Sequence, residues 1–254
     1  MTALWASALL VFLLGASVGS FAGFLASRWP VSPADLWDRS RCDGCSRRLN
    51  LVDLIPVVGW LLRRGRCPRC GGRIDPVYPL LELAGGAIGL FALFGAPFVQ
   101  PLYVLAVGWT LLILAAIDLK TFLLPDTGTL GLILAGLAVA MVDAQLVGPF
   151  EAALGALLGF AALWAIGALY ERLRGQTGLG LGDAKLMAAA GAWLGPWGLP
   201  QLLLIASWSG LLFALLLRLS GRKLDAKTAI PFGPFLGLGF LIGLVRPWLL
   251  TLAA

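Results

Sequence analysis

Two aspartates stand where apolar sequence gives way to polar, and their setting points to hydrolysis. Asp118 follows Leu111-Leu-Ile-Leu-Ala-Ala-Ile117 and precedes Lys120 and the turn Leu124-Pro-Asp126. Asp183 closes Gly178-Leu-Gly-Leu-Gly-Asp183 and leads into the next apolar run. An ionised group in an apolar membrane segment costs about 2.5–3.5 kcal/mol at a helix centre, so each needs a reason. Two carboxylates about 4 Å apart repel by about 4 kcal/mol at an effective dielectric near 20, or roughly three pKa units. Such a pair keeps one proton between its members over a wide pH range. The ionised member takes a proton from water as that water attacks a peptide carbonyl, and the protonated member donates to the carbonyl oxygen. The chain contains no His, so no Ser-His-Asp or Cys-His arrangement and no imidazole-held metal is open to it.

Plainer roles compete for the same residues. Asp183 is also a candidate cap at a helix N-terminus, favoured by the helix dipole, and Asp118 a candidate salt-bridge partner of Lys120 or Lys185. Asp126 rivals Asp118 for the first catalytic position, although Leu-Pro-Asp also reads as a turn or cap before a helix near Gly128. Glu82, just after Tyr78-Pro79, falls in the first turn of an expected helix, where a carboxylate complements the dipole. Asp126, Glu82 and Lys185 are therefore secondary candidates. Gly180 and Gly182, with Gly178, are expected to permit positive φ and close backbone approach, leaving a loop along which a substrate strand could pair.

A second constellation is Cys42-Asp-Gly-Cys45 and Cys67-Pro-Arg-Cys70, two CxxC pairs separated by 21 residues. Two thiolate pairs complete a tetrahedral S₄ zinc site, closed and structural. Two disulfides are the competing arrangement, but the topology below places the block on the reducing side of the membrane, where they rarely persist. A metal staple also suits a segment rich in Arg and Gly that can bury little apolar surface.

The elements that must position these groups follow from composition. The chain has 254 residues, 59% hydrophobic and only 13% charged, against roughly a quarter charged in a soluble domain. Apolar runs long enough to cross about 30 Å of hydrocarbon recur throughout. The first covers 4–27, with Gly15, Gly19 and Gly23 spaced for close helix packing. Further helices are expected near 79–96, 101–117, 128–147, 152–170, 184–198, 200–218 and 231–252, with breaks at Gly95-Ala96-Pro97 and Gly195-Pro196-Trp197-Gly198. Residues 28–78 form a polar block with ten Arg against Asp35, Asp38, Asp43, Asp53 and Asp75. Placing this block inside also puts Lys120, Arg172, Arg174, Lys185, Arg218, Arg222, Lys223 and Lys227 inside, leaving Arg246 near the outer face. The expected architecture is an all-α polytopic membrane protein of about eight transmembrane helices with a small zinc-stapled cytoplasmic domain inserted after the first. In domains, that is a first helix (1–27), a Cys₄ zinc block (28–78) and a seven-helix peptidase portion (79–254). The net charge of +6 is read as setting topology and facing anionic lipid, with no nucleic-acid partner, since no aromatics interleave with a basic stripe.

At these residues the chain resembles the type IV prepilin peptidases, bacterial inner-membrane aspartyl proteases of the GxGD class. The likeness runs through Gly19-Ser20-Phe21 to Arg28-Trp29-Pro30 and through the CxxC block to Tyr78-Pro79-Leu80-Leu81-Glu82. It continues through Ile117-Asp118 to Leu124-Pro125-Asp126 and through Gly180-Leu-Gly-Asp-Ala-Lys-Leu186 with Ala190-Gly191-Ala192-Trp193-Leu194-Gly195. It ends in Ile230-Pro-Phe-Gly-Pro-Phe235. The resemblance implies that Asp118 and Asp183 are the catalytic pair. It implies cleavage of prepilins or pseudopilins on the cytoplasmic side, after a Gly preceding the hydrophobic pilin helix. It also implies methylation of the new N-terminus with S-adenosylmethionine, tied to the cysteine block. The alternative from another class is a transporter or channel relaying ions through Asp118 and Asp183; the placement of both acids toward one face rather than the midplane argues against it.

Overall fold

The computed structural model describes residues 2–32, 40–42, 44–94, 101–143, 146–175, 178–221 and 228–252. Asp35, Asp38, Asp43, the break at Gly95-Ala96-Pro97, Arg222, Lys223, Lys227 and the side chain of Arg246 lie outside them. Among the described residues the chain is all-helical, with no strand. Its elements are α1 (Thr2–Arg28), a short α2 (Val58–Leu62) preceded by a 3₁₀ turn at Leu51–Leu54, α3 (Val77–Phe94) and α4 (Pro101–Thr121), followed by α5 (Asp126–Val142), α6 (Pro149–Arg174), α7 (Leu181–Leu219) and α8 (Gly233–Leu252).

Five of these helices, α1, α3, α4, α6 and α7, are long and apolar enough to cross a membrane, and α5 and α8 are shorter apolar helices. Large side chains such as Trp5, Leu134, Met141, Trp197, Leu204 and Trp208 are exposed. A soluble monomer rarely leaves such surface in water, whereas hydrocarbon solvates it at no cost. The chain is a multi-pass membrane protein.

The residues pack into two compact units, one of α1–α4 and the other of α5–α8, divided between Thr121 and Phe122. In the first unit the small-residue stripe of α1 lies directly on α3. A Cβ at Gly15 would strike the backbone of Gly85, and one at Gly19 the backbone of Leu81. Gly23 faces the Tyr78 ring, 2.7 Å from where its Cβ would stand. Two helices without a hydrophobic drive to associate in lipid gain dispersion contact by this approach. Trp109 Nε1 of α4 adds a hydrogen bond to the Gly85 carbonyl at 3.1 Å.

In the second unit, α6 and α7 meet the same way, Gly155 against Gly191 and Gly159 against the Met187 backbone. Trp193 Nε1 donates to the Leu132 carbonyl of α5 at 2.9 Å, and its ring occupies space that Gly136 leaves open. Phe235, from the Ile230–Phe235 motif at the start of α8, sets its ring 5.6 Å from that of Phe213.

Several boundaries differ from expectation. The helices expected at 184–198 and 200–218 form one element of 39 residues, interrupted only at Gly195 with φ 66° and ψ 179°. Straight, it would span about 58 Å at 1.5 Å per residue, about twice the hydrocarbon thickness. Gly195 alone supplies the non-helical conformation that an L side chain resists. Pro196 then occupies the first position of the second limb, where its missing N–H costs nothing. Helix α4 runs four residues past Ile117, so Asp118 lies inside its last turn, and α5 begins at Asp126 rather than Gly128.

Candidate functional site

Asp118 is held in the first unit by one face of α4. It is 5% exposed, beside a core of Ala116, Ile117, Ala22, Ala26 and Leu81. Two residues on, the Lys120 ammonium lies 4.9 Å from the centre of the Tyr78 ring and 3.5 Å from the Tyr78 hydroxyl. A carboxylate so sheltered from water is costly to place in an apolar helix and calls for a role.

Asp183 belongs to the second unit. Gly180 is the extended N-cap of α7 (φ −78°, ψ 148°), and Asp183 is the third helical residue. Its carboxylate accepts the Gly180 N–H at 3.3 Å, so the capping role is real. Only half a capping box exists, because glycine has no side chain to answer it. The expectation of positive φ at the preceding glycines is corrected: left-handed glycines occur at Gly175 and Gly195, not at Gly178, Gly180 or Gly182. Gly182 is also not in the loop but in the first turn of α7. What these glycines provide is room. A Cβ at Gly182 would stand 2.8 Å from the Leu124 Cβ, and one at Gly178 2.5 Å from the Tyr170 ring. The stretch 178–182 is thus pressed between α6 and the turn that starts α5, with Gly180 exposed.

Lys185 Nζ lies 2.6 Å from Asp126 Oδ1. Asp126 is 61% exposed and occupies the first turn of α5 without capping it through its side chain. The two residues, 59 apart in sequence, tie the start of α5 to the start of α7. No local pattern announces such a pair.

The cysteine block comprises two copies of one device. Arg41 bridges Arg48, and Arg66 bridges Arg73, each as a single antiparallel pair. In each copy the first cysteine's N–H donates across the turn, Cys42 to the Arg47 carbonyl and Cys67 to the Gly72 carbonyl, both at 2.9 Å. The residue after the second cysteine takes positive φ, Ser46 at 54° and Gly71 at 69°. The four Sγ atoms lie within 4.8 Å of one another, with Cys42–Cys70 at 3.8 Å and Cys45–Cys67 at 3.9 Å. A tetrahedron with Zn–S bonds near 2.3 Å has sulfurs about 3.8 Å apart. Disulfide sulfurs would be about 2.05 Å apart, so the four are free thiols in an arrangement that fits a metal.

Electrostatics point the same way. The amides of Cys70 and then Arg69 hold the Cys67 thiol down to about 6. At Cys70 the Gly72 amide lowers the thiol, but the neighbouring Cys67, burial, Cys45 and Cys42 together push it up to about 11. Four clustered thiols cannot all ionise unless a cation offsets their repulsion.

Behind the knuckles, Asp53 is 6% exposed and receives Arg47 at 3.0 Å and Arg63 at 2.9 Å, with the Asn50 N–H at 3.1 Å. Burial alone would raise its pKa; the Asn50 amide and the two guanidiniums outweigh burial and hold it below the usual value. Glu82 is buried in the second turn of α3, and accepts the Val57 N–H at 2.6 Å. Its carboxylate therefore docks the cysteine block onto the long apolar helix α3, which the helix-dipole reading missed.

Comparison with known proteins places these features. Residues 13–95 match the bacterial peptidase A24 N-terminal domain, and residues 105–215 match the type IV leader peptidase family. A Dickeya chrysanthemi protein named prepilin leader peptidase/N-methyltransferase is 39% identical over 266 residues, covering 95% of this chain and 92% of the relative. Proteins of the same name from Burkholderia pseudomallei (strain K96243) and Klebsiella pneumoniae are 38% and 42% identical. They cover 89% and 80% of this chain, and 81% and 91% of their own lengths. No solved structure matches the chain. With both portions matched in order and the relatives covered over most of their length, the chain belongs to the type IV leader peptidase family.

Proposed function

We propose that the protein is an aspartyl endopeptidase of the bacterial inner membrane that removes the leader of type IV prepilins or pseudopilins, with Asp118 and Asp183 as the catalytic pair. The observation that carries this reading is the burial of Asp118 in the last turn of an apolar helix. In the reaction one aspartate, ionised, draws a proton from the attacking water while the other, protonated, donates to the scissile carbonyl oxygen. The exposed backbone just before Asp183, at Gly178 and Gly180, gives the substrate segment an open approach to that carboxylate. Asp126 and Lys185 act as a brace for that stretch.

Around this centre the chain crosses the membrane eight times, counting α7 as two limbs broken at Gly195, with the cysteine block and the active site facing the cytoplasm. We divide it in sequence order into a first helix (1–27), a metal block (28–78) and a peptidase portion (79–254). Cys42, Cys45, Cys67 and Cys70 hold a structural zinc, which folds the block and takes no part in peptide hydrolysis. Methylation of the newly exposed amine with S-adenosylmethionine follows cleavage, as the relatives' name suggests.

The decisive experiment gives purified protein in detergent a prepilin-like substrate beside Asp118→Asn and Asp183→Asn variants. Both variants should be inactive. Cleavage persisting in either removes that residue from the mechanism.

A further inference from the structure

The cysteine block, otherwise polar, leaves an apolar face uncovered between its two knuckles. Along α2 the exposed side chains are Val58, Leu61 and Leu62, at 45%, 59% and 65%. Their spacing of three and four residues sets them on one side of the helix. The other side is engaged. A Cβ at Gly59 would stand 2.6 Å from the Asp53 carbonyl oxygen, and Trp60 Nε1 donates to the Ile74 carbonyl at 3.3 Å. The preceding turn adds Val52, Leu54 and Ile55, all exposed. Single exposed apolar residues are ordinary, but a run of this density marks a contact surface.

The depth of the segment identifies what that surface meets. The Val57 N–H, just before α2, is bonded to Glu82 at 2.6 Å. Glu82 is level with Gly19 of α1, where a Cβ would stand 2.7 Å from the Glu82 Cα. From Gly19 to the last residue of α1, Arg28, the helix axis runs about 14 Å. The whole of α1, 27 residues, measures about 40 Å, a surplus of about 10 Å over the hydrocarbon. Even with all of that surplus at the Arg28 end, the level of Glu82 reaches the acyl chains. The five residues of α2 extend at most about 8 Å from there, which keeps them at the lipid interface.

Charge agrees with depth. Arg64 and Arg66 follow the stripe and are exposed, whereas Asp53, the acid before it, is already held by Arg47 and Arg63. An apolar stripe ending in exposed guanidiniums is what an interfacial segment presents to an anionic lipid surface. Val57 holds φ 62° and ψ −50°, a conformation that a β-branched residue resists and that its surroundings must impose. The segment is thus clamped in place.

We infer that residues 52–62 form an interfacial anchor. Val58, Leu61 and Leu62 insert among the acyl chains of one leaflet, and Arg64 and Arg66 lie at its anionic headgroups. The inference needs only that α1 crosses the membrane, and it holds whichever side carries the block. The block is then fastened twice, to α3 through Glu82 and to lipid through α2.

The test puts a photoreactive benzoylphenylalanine at Leu62 of the full chain, in nanodiscs of phosphatidylethanolamine and phosphatidylglycerol, and reads the adduct by mass after irradiation. A lipid adduct is expected, in a yield comparable to that from the same group at Leu10, 59% exposed on α1. No lipid adduct, or an adduct to a second protein chain in its place, would overturn the inference. In the same discs, Leu61→Asp combined with Leu62→Asp should speed tryptic cleavage after Arg63, Arg64 or Arg66 by about tenfold or more. Its melting temperature in detergent should stay at the wild-type value. Unchanged cleavage in the double variant would overturn the anchor, and equal protection of wild type in phosphatidylcholine discs would overturn the pairing with anionic headgroups. Prepilin cleavage by wild type in the same discs reports on the peptidase reading separately.

Discussion

Lys185 reaches across to Asp126 with its ammonium 2.6 Å from the carboxylate oxygen, and that contact separates the two candidates for the first catalytic position. Asp126 is 61% exposed and already engaged by an ammonium, whereas Asp118 is 5% exposed. Asp126→Asn should therefore keep prepilin cleavage within about tenfold of wild type, against losses of roughly a thousandfold or more for Asp118→Asn and Asp183→Asn. Stability should change by less than about 1 kcal/mol, as for other exposed ion pairs. Initial cleavage rates decide it: an Asp126 variant as inactive as the Asp118 variant would transfer the catalytic role.

The glycines before Asp183 should respond unequally. At Gly182 a Cβ meets the Leu124 Cβ at 2.8 Å, whereas at Gly180 the nearest atom outside the immediate chain is an Asp183 oxygen at 3.5 Å. Gly182→Ala should cost about 1–3 kcal/mol by overpacking and shift Asp183, lowering the cleavage rate. Gly180→Ala should leave thermal stability nearly unchanged. Equal melting temperatures for the two variants would show that the turn before α5 yields freely.

Ser46 and Gly71 hold equivalent places in the two knuckles, both left-handed, yet only one is glycine. Ser46→Gly should stabilise the block by about 0.5–1 kcal/mol, since a side chain resists that conformation. Hydrogen exchange at the Cys42 and Ser46 amides would register it, and faster exchange would contradict it.

The Cys67 thiol, drawn down to about 6, ionises well before Cys70, pushed up to about 11, as pH rises. Its thiolate is favoured above that value and is lost as pH falls through it. Zinc uptake by chelator-stripped protein should accelerate as pH climbs through about 6, because the thiolate is the metal ligand. Metal content should approach one zinc per chain. A rate flat between pH 5 and 8 would rule Cys67 out as the first ligand.

Asp53 titrates with the opposite practical outcome. Its pKa is depressed in the folded protein, so its contribution is fully present above the ordinary aspartate value of 3.8 and fades only as pH drops below it. Block stability should owe no pH dependence to Asp53 between pH 5 and 8. Asp53→Asn, which strips Arg47 and Arg63 of their shared anion, should destabilise the block by roughly 1–3 kcal/mol, readable as earlier proteolysis of the cysteine block. Unchanged resistance would mean the guanidiniums find other partners.

Sequence made the helices legible because lipid demands long apolar runs, and the stripe Gly15, Gly19, Gly23 foretold the α1–α3 contact because only small residues admit such approach. The thiol quartet was legible from its spacing alone. Less visible was whatever depends on one residue's geometry. The break expected across Gly195–Gly198 narrows to Gly195 alone, while Pro196 opens the limb that follows and Pro200, ordinarily a stop signal, lies inside it. Contacts between distant side chains left no trace in the string. Asp126 with Lys185, Asp53 with two arginines, and Glu82 with the Val57 amide all pair groups whose nearness only the fold creates.

The two knuckles, Arg41–Arg48 and Arg66–Arg73, share one register, and each supplies two of the four clustered thiols. A joint made of two like halves behaves as a clasp: once one half lets go, the other has nothing left to hold. Replacing a cysteine in either knuckle should cost nearly as much as replacing one in each, so the energies will be strongly non-additive. Damage at a single thiol, by oxidation or by mutation, would then release the whole clasp in one step.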